Sequence, residues 1–287
     1  MIVSPLQKNA LAAPMVGALL LFLGFPAAVT LIYSVSEVTF ETLRSPRLSG
    51  FENYVAVLDD PDFWSAGWFS LRFGAVTAIA ECLLGLALAL FLAPLLERRP
   101  PLMALLMLPM MVAPAMVGLM YRLVLHEFVG PIPYYLYQFF GDSPAFLSGD
   151  TAFWTLTVVE TLQWTPFALL LFYMAYEAVP IEVHQAAAID GASGWVMLTH
   201  IDLPIMAPTL VIGLVLRFID GFRVFDNVYT LTGAGAGGST TSLSIYIYQA
   251  FFKQGDIGKA VSASVLLFIV SFVVLYGINQ LGRYRRN

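Results

Sequence analysis

Several of the chain's few charges stand where charge is costly. Glu81, Glu160, Arg217 and Asp220 lie inside apolar runs, with Arg122 and Arg223 nearer the ends of theirs. An ionisable group at membrane depth costs free energy unless it faces a cavity or a partner. Glu160, Gln163 and Phe167 share one helical face by steps of three and four, with Trp164 beside it, and Arg217 and Asp220 share another. Carboxylates, an amide and flat aromatic rings can hold a polyhydroxylated solute by hydrogen bonds and stacking. Two readings stand: these faces line one polar cavity, with Arg217 pairing Glu160 when it is empty, or they pair structurally and pack two spans. Glu81 reads as structural, with no polar neighbour on its face.

Other chemistries find no support. Residues 233–238 fit G-x-G-x-x-G, but no strand precedes them and no helix follows, so they read as a flexible turn and not as a dinucleotide site. No G-x-x-x-x-G-K-[ST], G-x-S-x-G or H-E-x-x-H occurs. His126, His184 and His200 lack metal-ligand spacing, and the one cysteine, Cys82, cannot form an internal disulfide. Asp59, Asp60 and Asp62 mimic a cation site, but a solvated loop or a docking surface is the simpler reading.

The elements that hold these residues are membrane spans. The 287 residues are 59% hydrophobic and 11% charged, where a soluble domain carries about 25% charged residues. Mean hydropathy is +0.79. The net charge of −5 argues against nucleic-acid binding. A span needs about 20 apolar residues. Six segments qualify, at about 11–33, 68–92, 102–125, 152–178, 205–224 and 260–281, so the expected fold is all-α, a single membrane domain over residues 1–287. The first exceeds a signal-peptide core and reads as an uncleaved span. Pro109 and Pro114 predict kinks in the third. At 1.5 Å per residue, Glu160 and Gln163 lie about 12–17 Å from one face and Arg217 and Asp220 about 18–23 Å from the other. Both sets therefore meet in the middle to outer third of a core about 30 Å thick.

Residues 180–204 interrupt the apolar pattern. Pro180 opens a short helix through Ala186, Ala187 and Ala188, and Asp190-Gly191 stops it. By itself this is an interfacial loop or a docking helix. The segment resembles the EAA loop of ABC-importer permeases, with Ala186, Ala187, Asp190, Gly191, Ala192, Ile201, Leu203 and Pro204 matching. Gln185 stands where the family has glutamate, keeping the hydrogen bonding and losing the charge. Val224-Phe225-Asp226, Leu231-Thr232-Gly233, Thr240 and Tyr246-Ile247-Tyr248, with Phe51-Glu52-Asn53-Tyr54 earlier, resemble the first permease of maltose-type and glycerol-phosphate-type sugar importers. The proline which that family carries after the glycines is absent.

The resemblance implies a type I importer permease with six transmembrane helices and a cytoplasmic coupling helix. Gln185, Ala186, Ala187, Asp190, Gly191, Ala192, Leu203 and Pro204 would seat in an ATPase subunit. Glu160, Gln163, Trp164, Phe167, Arg217 and Asp220 are the candidate solute contacts. Implied partners are a second homologous permease, two ATPase subunits that carry the ATP and magnesium, an extracytoplasmic binding protein, a sugar-like ligand and lipid. This chain itself would hold no cofactor and catalyse no reaction. The implied location is the bacterial cytoplasmic (inner) membrane. Lys8, Arg98, Arg99, Arg283, Arg285 and Arg286 outnumber Arg44, Arg47, Lys253 and Lys259 across the spans, which independently predicts cytoplasmic termini. Alternatives are an importer of another solute, such as a glycerol phosphodiester or a sulfonated sugar, or a stand-alone secondary transporter or membrane enzyme. No inverted repeat supports the transporter, and no reactive constellation supports the enzyme.

Overall fold

The computed structural model describes residues 5–233 and 239–284. The glycines of the 234–238 run, with Arg285 and Arg286, lie outside the described residues. Among the described residues, five helices are long and apolar enough to cross a membrane.

In chain order, α1 is Leu11–Ser34, followed by the short antiparallel pair β1 (Ser36–Glu37) and β2 (Arg47–Leu48) and by α2 (Glu52–Leu58). The second span, α3, runs over Pro61–Arg98, well beyond its expected ends. Then come α4 (Pro101–Leu106), α5 (Leu108–Met111), α6 (Pro114–Val124) and α7 (Pro131–Phe140). The fourth span is α8 (Gly149–Glu177), followed by the short α9 (Ile181–Ile189). The rod α10 covers Gly194–Phe222, and α11 (Asp226–Thr232), α12 (Leu243–Tyr248) and α13 (Ile257–Tyr284) complete the chain.

The expected third span, 102–125, is not one continuous helix. Pro101, Pro109 and Pro114 divide it into α4, α5 and α6. Proline forces the preceding residue toward extended backbone, and Val112 (ψ 134°) and Ala113 (ψ 133°) are extended just before Pro114. This is a break where kinks were expected, and it frees the Val112 carbonyl for another partner.

Two of the spans absorb proline differently. Leu20–Gly24 ends two residues before Pro26, and Leu198–Asp202 ends two residues before Pro204; both are π-helical turns. The Phe25 amide donates to the Leu20 carbonyl and the Leu203 amide to that of Leu198. A proline ring clashes with the carbonyl four residues back. One inserted residue removes that conflict while the helix continues.

Two compact units are present: residues 1–64 with 246–272, and 65–245 with 273–287. In the first, Asn53 Nδ2 donates to the carbonyls of Ser36 (2.8 Å) and Ser34 (3.2 Å), and Ser262 Oγ donates to Ser34 as well. The Asn-Tyr element of the early loop is thus a cap that satisfies orphaned carbonyls at the end of α1. Asp60 accepts from Lys259 Nζ at 2.7 Å and from the Tyr246 hydroxyl at 2.8 Å. It also accepts from the Asp62 amide, capping α3 with Pro61 in the first helical position. The aspartate cluster is therefore structural at Asp60. No group of three or more His, Cys, Asp or Glu side chains among the described residues has metal-site geometry.

Candidate functional site

The second unit holds both groups of candidate residues. Helices α3 and α10 approach backbone to backbone at Gly74 and Gly221: a Cβ on Gly74 would sit 2.7 Å from the Phe222 nitrogen. On the same face of α3, seven residues on, lies Glu81, and four further on is Gly85, where a Cβ would sit 2.8 Å from the Leu169 nitrogen of α8. Small residues above and below Glu81 bring three helices close enough for side chains to pair across them.

There Arg217 Nε meets Glu81 Oε2 at 2.5 Å. Arg217 Nη1 reaches Asp220 Oδ2 at 3.1 Å, and Arg223 Nη2 reaches Asp220 Oδ1 at 3.1 Å. The guanidinium lies over the Trp164 ring at 4.7 Å and near that of Phe167 at 5.8 Å. Glu160 comes no closer than 3.9 Å to Arg217. It accepts instead from Asn227 Nδ2, which also donates to Gln163 Oε1 at 2.9 Å. Gln163 Nε2 in turn donates to the Val112 carbonyl freed by the break before α6, at 3.0 Å. Glu81, Glu160, Gln163, Arg217 and Asn227 are all buried.

This corrects one expectation. Glu81 does have polar company, since Thr77 is buried four residues before it and Arg217 bonds it directly. Arg217 takes Glu81 and Asp220 as its close carboxylate partners, and the expected Arg217–Glu160 pair is present as a longer contact; the Gly74–Gly221 crossing places α3 against α10 at that level. Asn227 was missed altogether. It lies outside the apolar runs searched for charge, and only the fold of α11 back against α6 and α8 carries it inward.

A cavity of about 410 Å³ opens beside this network, lined by Glu160, Trp164, Asp220, Arg223 and residues 224–227, with Pro114 closing one side. Of the six expected solute contacts, Glu160, Trp164 and Asp220 line it. Gln163, Phe167 and Arg217 stand behind the wall and hold it. Arg217 Nη2, Glu81 Oε1 and Asn227 Oδ1 are buried and find no hydrogen-bond partner among the described residues. Such orphans are costly, and this is polar capacity a cavity rearrangement can use.

The second group lies on and after α9. Pro180, in extended backbone, precedes the first turn. At the other end Gly191 has φ +76°, its amide bonds the Ala188 carbonyl, and the Ala192 amide bonds that of Ala187 at 2.9 Å. This pair of bonds is the Schellman stop, which needs a left-handed residue and so a glycine. The Asp-Gly-Ala string is therefore a helix terminator. Gln185, Ala186, Asp190, Gly191 and Pro204 are exposed, Ala192 and Leu203 partly so, and Ala187 is buried. Ile189 and Trp195 are 86% and 73% exposed.

A sequence profile of the family described as "binding-protein-dependent transport system inner membrane component" matches residues 83–283. The trehalose/maltose transport system permease protein MalF of Thermococcus litoralis is 33% identical over 279 residues, covering 96% of this chain and 92% of that protein. The trehalose transport system permease protein SugA of Mycobacterium tuberculosis is 29% identical over 269 residues, covering 92% and 86%. A crystal structure of a bacterial ABC transporter involved in import of the acidic polysaccharide alginate superimposes with a TM-score of 0.83 at 20% identity, covering 96% of this chain and 95% of that one. The mostly helical, multi-pass fold is thus that of a type I importer permease, and the chain belongs to the family of inner membrane components of binding-protein-dependent transport systems.

Proposed function

We propose that this chain is one of two permease subunits of an ATP-driven importer for an uncharged sugar or sugar-like solute. The observation that carries this reading is the position of α9. A short helix with an exposed Gln185–Ala186 edge and exposed Ile189 stands between the fourth and fifth spans, closed by a Schellman stop. A helix so placed suits a groove on a partner. An ATPase subunit is the partner with a reason to push there, because this chain carries no P-loop of its own. Ile189 and Trp195 would supply buried anchors of the kind that dominate interface energy.

The solute would pass beside Glu160, Trp164 and Asp220. Carboxylates accept hydrogen bonds from hydroxyls, and the indole face stacks on a sugar ring. Both cations near the cavity, Arg217 and Arg223, are already engaged by carboxylates, which favours a neutral ligand over the phosphodiester or sulfonated alternatives. A binding protein would deliver the solute from outside. Closure of two ATPase subunits on ATP would rock this permease against its homologous partner, and hydrolysis would reset it. Both termini would then be cytoplasmic.

Co-purification tests the reading. Expressed in its native host, the tagged chain should retain a second permease and a P-loop ATPase through size exclusion in detergent. Recovery of the chain alone, in a folded state, would contradict it.

A further inference from the structure

We infer that His184 and Asp202 form a latch that makes α9 and the rod α10 move as one body; the inference rests on the coupling role proposed above. His184 Nε2 meets Asp202 Oδ1 at 2.6 Å. Asp202 is buried and His184 half-buried, although most of α9 is exposed. The His184 ring also lies against Tyr176, in the last turn of α8, with centroids 6.3 Å apart. One side chain of α9 thus touches the end of the fourth span and the root of the fifth.

The root has the shape this tie needs. Asp202 closes the π-turn Leu198–Asp202, and the helix then runs unbroken to Phe222. Fifteen residues of regular helix further on, about 60° round the axis from Asp202, Arg217 faces Glu81 while Asp202 faces α9. At 1.5 Å per residue the two positions are about 22 Å apart on one rod. A push on α9 reaches Arg217 and Asp220 through the latch. Without it, α9 keeps the burial of Ala187, the packing of Val179 with Met206 just before its start, and the exposed turn at Asp190–Gly191.

His184 and Asp202 are positioning residues, so the test reads geometry. In the purified, reconstituted transporter, with Cys82 replaced by serine, spin labels are placed on Ile181→Cys in α9 and Ile212→Cys on the rod. Both positions are exposed. Their distance is measured by double electron–electron resonance in the nucleotide-free and ATP–vanadate states. A single narrow distribution, the same in both states, is expected with His184 and Asp202 in place. His184→Phe, which keeps a ring against Tyr176, and Asp202→Ala should broaden it and make it shift with nucleotide. The exchange His184→Asp with Asp202→His should restore it. A distance that changes with nucleotide in the parent protein, or variants that keep the narrow distribution, would overturn the latch alone. Absence of an ATPase from the parent complex would overturn the coupling reading and the latch with it.

Discussion

Arg217 of the fifth span and Glu81 of the second, 136 residues apart in the chain, form an ion pair at 2.5 Å with both side chains almost wholly shut off from solvent. Breaking a buried pair by removing one member costs about 3–5 kcal/mol, and here it would leave Arg217 with the half-exposed Asp220 as its close carboxylate. Glu81→Ala should therefore lower the melting temperature of the detergent-purified protein markedly. The double variant Glu81→Met with Arg217→Met should lose much less. Thermal shift with a thiol-independent dye checks both; equal losses would mean the pair is not the source.

The Gly74–Gly221 crossing is what permits that pairing. A Cβ at Gly74 would meet backbone atoms of Phe218 and Phe222 at 3.0 Å or less, and backbone cannot step aside as a flexible side chain can. Gly74→Leu should abolish folding or assembly, seen as loss of the monodisperse peak. Gly17→Leu, where no atom lies within 4 Å, should be silent by the same measurement.

Asp220 lines the cavity and is the carboxylate shared by Arg217 and Arg223. A hydrogen bond to a charged group contributes about 1.5–3 kcal/mol. Asp220→Ala should thus raise the half-saturating solute concentration about tenfold or more, with assembly intact. Gln163→Ala should act by releasing Asn227 and the Val112 carbonyl, impairing uptake without any contact to solute. Uptake into proteoliposomes reports on both.

Asp60 gives the outer loop a pH signature. Burial alone would raise its pKa, but the hydrogen bonds from Lys259 and Tyr246, the Asp62 amide and the Lys259 charge outweigh it and hold the carboxyl below its ordinary value. A depressed folded pKa contributes stability above the unfolded value, about 3.9, and loses it as pH falls through the folded one. The melting temperature should therefore fall more steeply with acid in the parent protein than in Asp60→Asn. Parallel acid limbs would show that Asp60 is not the group responsible.

How much was legible in the chain depended on the range of the interaction. The helix at 181–189 was readable because its logic is local: Pro180 opens it, and Gly191 with Ala192 closes it by bonds spanning five residues or fewer. The faces of Glu160, Gln163 and Trp164 and of Arg217 and Asp220 followed from helical spacing, and the structure does bring them together. Glu81 and Asn227 were not readable. Their roles come from a helix crossing at two glycines and from a short helix folding back, neither of which leaves a periodic trace. The third crossing failed for a different reason. Apolar composition fixes residence in lipid, whereas Pro101, Pro109 and Pro114 decide continuity, and their joint effect depends on Gln163 accepting the role of partner to the freed carbonyl.

Gly191 tests the helix stop itself. Its left-handed backbone costs a non-glycine residue about 1–2 kcal/mol. Gly191→Val should leave the spans folded, by circular dichroism, while weakening retention of the ATPase; undiminished retention would show that the Schellman stop does not shape the docking edge.

The central claim is that α9 is gripped by an ATPase, and site-directed cross-linking addresses it most directly. Ala187 is buried, so the probe belongs on the exposed neighbour, as Ala186→Cys in a Cys82→Ser background. With the whole transporter in native membranes, the account predicts a cross-linked band containing this chain and a P-loop ATPase. A control cysteine at Phe128, on the loop before α7, should give none. A band from Phe128 and none from Ala186 would contradict it.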